Sequence, residues 1–475
     1  MSKETWILVL WSLCTSCGHA STDGDADADL DADEEGDADG DGEPAVIWYD
    51  PRQVVDVEDL PAPRDWQLKR GIVHAHSVYS HDACDDEPFI DGVRNEQCFA
   101  DLRAAMCDTA QDFVFLTDHD NYFADHELPD VLLYEDGDIL IERDGAPVAN
   151  RVVCADGREV IVAAGTESGT MPIGLEHHVG DTPEARHAAY DDVTAVGVLA
   201  LRDAGAIALV AHTEGWDVET LLDLPLDGIE IYNLHQNLMD NIGVAVNLLI
   251  TLGENPDRVP DVELGLIALF LENDADLERW SRSVAVRRTI GVLATDVHRN
   301  SFPGPSPDGE RLDSYRRMMH WFSNYVLVAE GEVDDRVLKE AIGHGRMYGG
   351  FDYLGYPEGF DFHALVGDAV FEMGDATPAG EGAELRIALP SIAGLDPDAP
   401  RPAISGRILR ADDGEWDVVS EGDTDLELDA EPGVYRAEVR MVPEHLRPSL
   451  GRFAQDYLVE TVWVYSNVIY VGVER

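Results

Sequence analysis

The sequence predicts a mixed α/β protein, a βα barrel over residues 63–358 followed by an all-β sandwich over residues 359–475. Three observations carry this expectation. Short apolar runs at 71–77, 113–119, 160–167, 206–213, 228–233 and 289–298 alternate with amphipathic helical stretches, the pattern of parallel βα units. All but one of these runs end in a histidine or a carboxylate, and barrel enzymes do their chemistry at the C-terminal ends of strands. Beyond Gly359 the strand-like runs 384–389, 403–409, 434–442 and 459–473 are separated by turns such as Glu431-Pro432-Gly433.

The N-terminus reads as an export signal over residues 1–17, with Lys3 before an apolar run at 6–13 that is too short to span a bilayer. Thr15-Ser16-Cys17-Gly18 resembles a lipobox, although Cys14 stands where that motif usually has leucine. The expectation is an exported chain anchored through a lipid on Cys17, facing the periplasm or cell exterior, with ordinary secretion as the alternative. Residues 18–62 read as a linker. Within it, 21–43 holds twelve acids and no base, so it self-repels and extends. Its Asp-x-Asp spacing lacks the bidentate Glu of a calcium loop, which favours a plain spacer. The apolar stretches 243–252 and 262–271 carry Asn or Glu and read as buried helices.

The chain has 475 residues, 95 Asp+Glu, 33 Lys+Arg and a formal charge of −62. A surface this acidic repels phosphate backbones, so no extended nucleic-acid partner is expected. Cys84, Cys98, Cys107 and Cys154 in an oxidising compartment suggest one or two disulfides, with three connectivities open for two bridges. A zinc-thiolate site is the weaker alternative, because no close Cys-x-x-Cys pair exists.

The chemistry sits at the strand ends. In order they are His74-Ala75-His76 followed by Ser80-His81-Asp82, Thr117-Asp118-His119-Asp120, Glu167 followed by Glu176-His177-His178, then His212, then Asp296-Val297-His298. Each motif alone is weak, since many His-x-His pairs are merely satisfied polar groups. Independent structural histidines, however, would scatter over helices and loops. His126, His187, His235, His320 and His445 fit exposed or capping roles. Imidazoles with carboxylates suit Zn²⁺, Mn²⁺ or Fe²⁺.

This ordered set resembles the PHP (polymerase and histidinol phosphatase) family over about residues 66–350. The resemblance implies a distorted (β/α)7 barrel, two or three divalent metals, and hydrolysis of phosphoesters by metal-bound hydroxide. It implies that His74, His76, Glu167 and Asp296 hold one metal. Glu167 would bridge to a second metal, held also by His212 and either His177 or His178. A third would be held by His119, His298 and either His81 or Asp82. Glu167 and Asp296 would then be central to catalysis, and Asp118 and Asp120 would orient ligands. Arg299, and less directly Arg346, could fork onto a phosphate oxygen, against the alternative of an ion pair with one of the many acids. The substrate would be a small phosphorylated molecule.

Two other readings compete. An amidohydrolase-type barrel also opens with His-x-His, but many members use a mid-barrel lysine. Here the only lysines are Lys3, Lys69 and Lys339, none of them there. A non-catalytic surface protein on a degenerate barrel would show gaps among the ligands, and none is evident. The aromatic, Gly-rich stretch 347–362 reads as packing between barrel and sandwich rather than as a stacking platform.

Overall fold

The computed structural model describes residues 48–241, 243, 244, 247, 261–302, 304–412 and 414–473. The export signal, Cys17, the acidic stretch 21–43 and most of the run 243–252 lie outside the described residues. The chain is a mixed α/β protein built on one large sheet. Among the described residues no helix is long and apolar enough to cross a membrane.

The strands follow the apolar runs closely. In chain order they are β1 (Trp66–Ala75), β2 (Phe113–Phe115), β3 (Ile139–Arg143), β4 (Ala146–Val153), β5 (Glu159–Gly165), β6 (Met171–Leu175), β7 (Ile207–Leu209), β8 (Gly228–Asn233), β9 (Ile290–Val297), β10 (Ser323–Ala329) and β11 (Met347–Gly350). β8, β9, β1, β2 and β5 are joined by parallel pairing. The order then departs from the expected all-parallel pattern, because β6 runs antiparallel to both β5 and β7. Two backbone hydrogen bonds carry β7 on to β8, Asp227 N–H to Ala208 O at 2.8 Å and Glu230 N–H to Val210 O at 3.4 Å. The succession of pairings therefore returns to β8.

Period-two alternation makes the inner face. Ile161 and Ala163 on β5, and Ile290 and Val292 on β9, join Val73, Phe115, Ile173 and Leu209 in one buried apolar cluster. The helix Asp335–His344 adds Leu338, Ala341 and Ile342 to it, starting from the Asp334 side-chain cap and ending at Gly345 with φ 88°. Four residues beyond Ala163 and Val292, β5 and β9 lead to Glu167 and Asp296. The metal candidates thus stand above a dry floor.

Strand pairing also crosses residue 359. β12 (Asp361–Val366), β13 (Ala369–Glu372), β14 (Ala383–Ala388) and β17 (Leu426–Ala430) form a separate four-stranded antiparallel sheet. β15 (Ala403–Asp412), β16 (Glu415–Gly422), β18 (Gly433–Val442), β19 (Thr461–Ser466) and β20 (Ile469–Val471) instead extend the large sheet, through antiparallel pairing of β19 with β11. Asn467 explains part of that attachment. Its side-chain amide bonds both N–H and C=O of Gly291 at 2.9 Å, imitating a neighbouring strand along β9. The aromatic stretch is buried as packing: Tyr348, Phe351, Tyr353, Tyr356, Phe360 and Phe362 all lie in the core.

The run 262–271 is not one helix. It forms two single 3₁₀ turns, Val262–Leu264 and Ile267–Leu269, on either side of Gly265. Four cysteines make two disulfides, Cys84–Cys98 and Cys107–Cys154, which leaves no thiolate for the zinc alternative among them.

Candidate metal centre

The centre begins at a break in the alternation of β1. Its pairing with β9 shifts register between Val73 and Ala75, and His74 takes a left-handed backbone with φ 77°. His74 and His76 thereby both bury their rings, with their Nε2 atoms 3.0 Å apart. His212 (φ 49°) and Asp296 (φ 52°) are also left-handed, at the ends of β7 and β9. Such positions cost roughly 1–3 kcal/mol each and persist where surrounding structure enforces them, often at functional sites. Opposite, a Cβ at Gly165 would collide with the carbonyl oxygens of Pro172 and Leu116, so only glycine allows β5 the close approach that leads to Glu167.

Glu167 and Asp296 knit the histidines together. Glu167 Oε2 lies 3.0 Å from His74 Nε2 and 3.2 Å from His76 Nε2, and its Oε1 lies 3.1 Å from His212 Nε2. Asp296 Oδ1 lies 3.2 Å from His74 Nε2 and 3.3 Å from His76 Nε2. Its other oxygen is 3.1 Å from His235 Nδ1 and 3.7 Å from His212 Nε2. On the remaining side Asp82 sits 3.2 Å from both His76 Nδ1 and His119 Nε2. Three groups of ligand atoms each fall within 4.8 Å: His74, His76, Glu167 and Asp296; His76, Asp82 and His119; and His212, His235 and Asp296. This nitrogen and oxygen donor set fits Zn²⁺, Mn²⁺ or Fe²⁺.

Several candidate residues stand elsewhere or do something else. His177 is exposed, and His178 is held by the Tyr190 hydroxyl at 2.7 Å and the His126 carbonyl at 2.9 Å. The antiparallel course of β6 carries the chain back from the strand end that holds Glu167, so neither residue joins His212. His235, in the first turn of the helix Leu234–Asp240 after β8, takes that place. Of the pair His81 and Asp82, Asp82 enters the centre. His81 is exposed, its ring 4.7 Å from that of His119. His298 is buried, its Nε2 3.9 Å from Asp296. Asp118 accepts from the Ser77 N–H at 2.5 Å and the Ser77 hydroxyl at 2.8 Å, which fixes the backbone just after His76. Burial pushes its pKa up to about 6. Arg299 is bound to Asp101 at 2.6 Å, and Arg346 lies 3.6 Å from Glu340 and stacks over Trp66 at 5.3 Å, so both arginines have the ion-pair partners of the alternative reading.

Glu230 is the other residue that sequence reasoning passed over. It lies mid-strand on β8, with one oxygen 2.5 Å from His74 Nδ1 and the other accepting from the His212 N–H at 2.8 Å. This leaves Nε2 of His74 to face the centre. The available signal was one charge inside an otherwise apolar run.

Electrostatics follow from this crowding. Burial alone would disfavour charge on His74, yet Asp296, Glu230 and Glu167 push its pKa well above the ordinary histidine value. His212 is raised to about 9, the hydrogen bond to Glu167 and the charges of Asp296 and Glu230 overcoming desolvation. Glu167 and Asp296 are held well below the carboxylate range, His74 being the strongest influence that outweighs burial for each. Raised histidines stabilise the fold below about pH 6.5, their unfolded value, and lose that contribution as pH rises through the folded value, about 9 for His212. The depressed carboxylates contribute above their unfolded values and lose this only in acid. Bound cations would replace the protons. Chelator-treated protein should therefore lose thermal stability between about pH 6.5 and 9, while metal-loaded protein should not. Parallel melting curves for the two forms across that window would contradict this.

No family model and no curated protein matches this chain. Among solved structures it is similar to a two-domain protein from Bacteroides vulgatus, described as containing a predicted PHP-like metal-dependent phosphoesterase. The two share 11% identity over 87% of this chain and 99% of that one, with a TM-score of 0.35. A likeness that slight assigns neither fold nor function to this chain, which rest on the residues above.

Proposed function

We propose that this protein is a metal-dependent hydrolase of phosphoester bonds on a distorted (β/α)7 barrel (residues 63–358), with 359–475 as an accessory β region. The observation that supports it most is that three ligand groups overlap. Asp296 belongs to two of them and His76 to two, so ions held there would be neighbours. His74, His76, Glu167 and Asp296 would hold one, His212 and His235 with Asp296 a second, and Asp82, His119 and His76 a third. Divalent ions, when bound, neutralise an anionic phosphoester and lower the pKa of water towards about 7. The chain's own part is to fix the ligands: Glu230 orients His74, and Asp118 fixes the strand end after His76. The apolar layer below keeps the site dry on that side.

The amidohydrolase reading gains nothing from the lysines. Lys69 pairs with Asp112 at 2.9 Å, and Lys339 donates to the carbonyls of Gly174 and Gly205 at 2.8 and 3.0 Å. Metal-loaded protein assayed against nucleotides and sugar phosphates should hydrolyse at least one class, with chelation abolishing turnover and Zn²⁺, Mn²⁺ or Fe²⁺ restoring it. Amide or lactone hydrolysis with no activity on any phosphoester would overturn the proposal.

We also propose export with a lipid on Cys17 and a spacer at 21–43, supported by the sequence pattern alone. Wild-type protein should partition with membranes and Cys17→Ser should be released or remain unprocessed. Recovery of mature wild-type protein in the soluble fraction would point to plain secretion.

A further inference from the structure

We infer a second ligand site, for a phosphate-bearing small molecule or free phosphate, at the end of the strands opposite the histidine cluster. A cavity of about 350 Å³ opens there, lined by Arg202, Arg287, Arg288, Thr289, His344 and Tyr470 among others. Thr289 and Ile290 stand at the start of β9, and Asp296 near its other end, so this cavity and the metal centre are separate places.

Charge is what sets it apart. In a chain with 95 acids and 33 Lys+Arg, arginines readily find carboxylates. Arg287 and Arg288 do not, among the described residues. Arg287 donates to the carbonyls of Leu224 at 2.6 Å and Leu221 at 2.8 Å, and Arg288 to the carbonyl of Gly374 at 2.9 Å. Carbonyls satisfy hydrogen bonds but leave the positive charges uncancelled. Asp227, which also lines the cavity, is paired with Arg202 at 3.0 Å. Three arginines therefore face one carboxylate.

The site is held under electrostatic tension. Burial pulls the pKa of Arg287 down, Asp227 opposes this in part, and Arg202 adds to it. Its Nε is buried without a partner. An anion in the cavity would supply the missing counter-charge. Guanidinium forks match phosphate oxygens, and the size lies in the range of small-ligand pockets, about 300–1,000 Å³. Leu226, Ile290 and Val468 give an apolar wall, and Arg288 stands 5.5 Å from the Tyr470 ring, so an organic portion also finds a surface. The neighbouring helix Asp335–His344 points its C-terminus this way, but the Gly345 N–H caps the carbonyls of Ala341 and Ile342.

The full chain, metal-loaded and after chelation, would be titrated calorimetrically with inorganic phosphate and with ribose 5-phosphate. The expected result is one binding event that survives chelation, which separates it from the metal centre. Arg288→Gln and Arg202→Gln, both at exposed positions, should each weaken that event by at least about tenfold. Turnover by the metal-loaded variants on small substrates should stay at the wild-type level. Tighter binding of ribose 5-phosphate would identify an organic phosphate as the ligand, and equal binding would identify free phosphate. No binding by the chelated chain up to about 10 mM, or binding unaffected by both substitutions, would overturn the inference. The readout is independent of whether the chain hydrolyses phosphoesters.

Discussion

Glu167→Gln is expected to remove metal and hydrolysis together while leaving the fold intact. The glutamate places one oxygen by His74 and His76 and the other by His212, so it reaches both flanks of the centre with separate atoms. Glutamine keeps the size but loses the charge and turns one of those oxygens into an amide that cannot ligate well. Several kcal/mol of transition-state stabilisation depend on metal charge, and each 1.4 kcal/mol is tenfold, so turnover should fall by about 10³-fold or more. Elemental analysis and a phosphoester assay, with circular dichroism as the control for folding, check this. Full metal content with unchanged turnover would contradict it.

Asp296→Asn should have an effect of similar size for a different reason. Asp296 is only 3% exposed and faces His74, His76, His212 and His235, so an amide there would set a donor against imidazoles and leave the raised-pKa His74, His76 and His212 short of counter-charge. Asparagine tolerates the left-handed backbone at φ 52°, which keeps backbone strain out of the comparison. Metal retention should drop along with turnover, again by about 10³-fold. An amidohydrolase, where this aspartate chiefly shuttles a proton, would lose turnover and keep its metals. Metal content therefore separates the two readings.

Strand ends were the legible part of this sequence. β1, β2, β5, β7, β8 and β9 lie within or close to their apolar runs, and His74, His76, His119, Glu167, His212 and Asp296 converge because they stand at or beyond the ends of those strands, past the apolar layer. What stayed hidden has physical causes. His177 and His178 follow β6, whose antiparallel direction no residue pattern announces, so they part from Glu167. His235 sits on a helix turn and Glu230 mid-strand, places where a search confined to strand ends does not look. The choice of Asp82 over His81 depends on how the loop after β1 turns, near the Cys84–Cys98 bridge. For Arg299 the sequence left a phosphate fork and an ion pair both open, and Asp101 is the acid that pairs with it. The hairpin of β3 and β4 was not anticipated, nor was the continuation of the large sheet through β19, because pairing between distant strands leaves little local trace.

The measurement that tests the account most directly is the number of divalent ions bound per folded chain, read by elemental analysis alongside phosphoester turnover as metal is removed and restored. Ligand groups that overlap through His76 and Asp296 predict at least two ions per chain and turnover that falls and returns with them. One ion or none in active protein, with turnover indifferent to chelator, would contradict it.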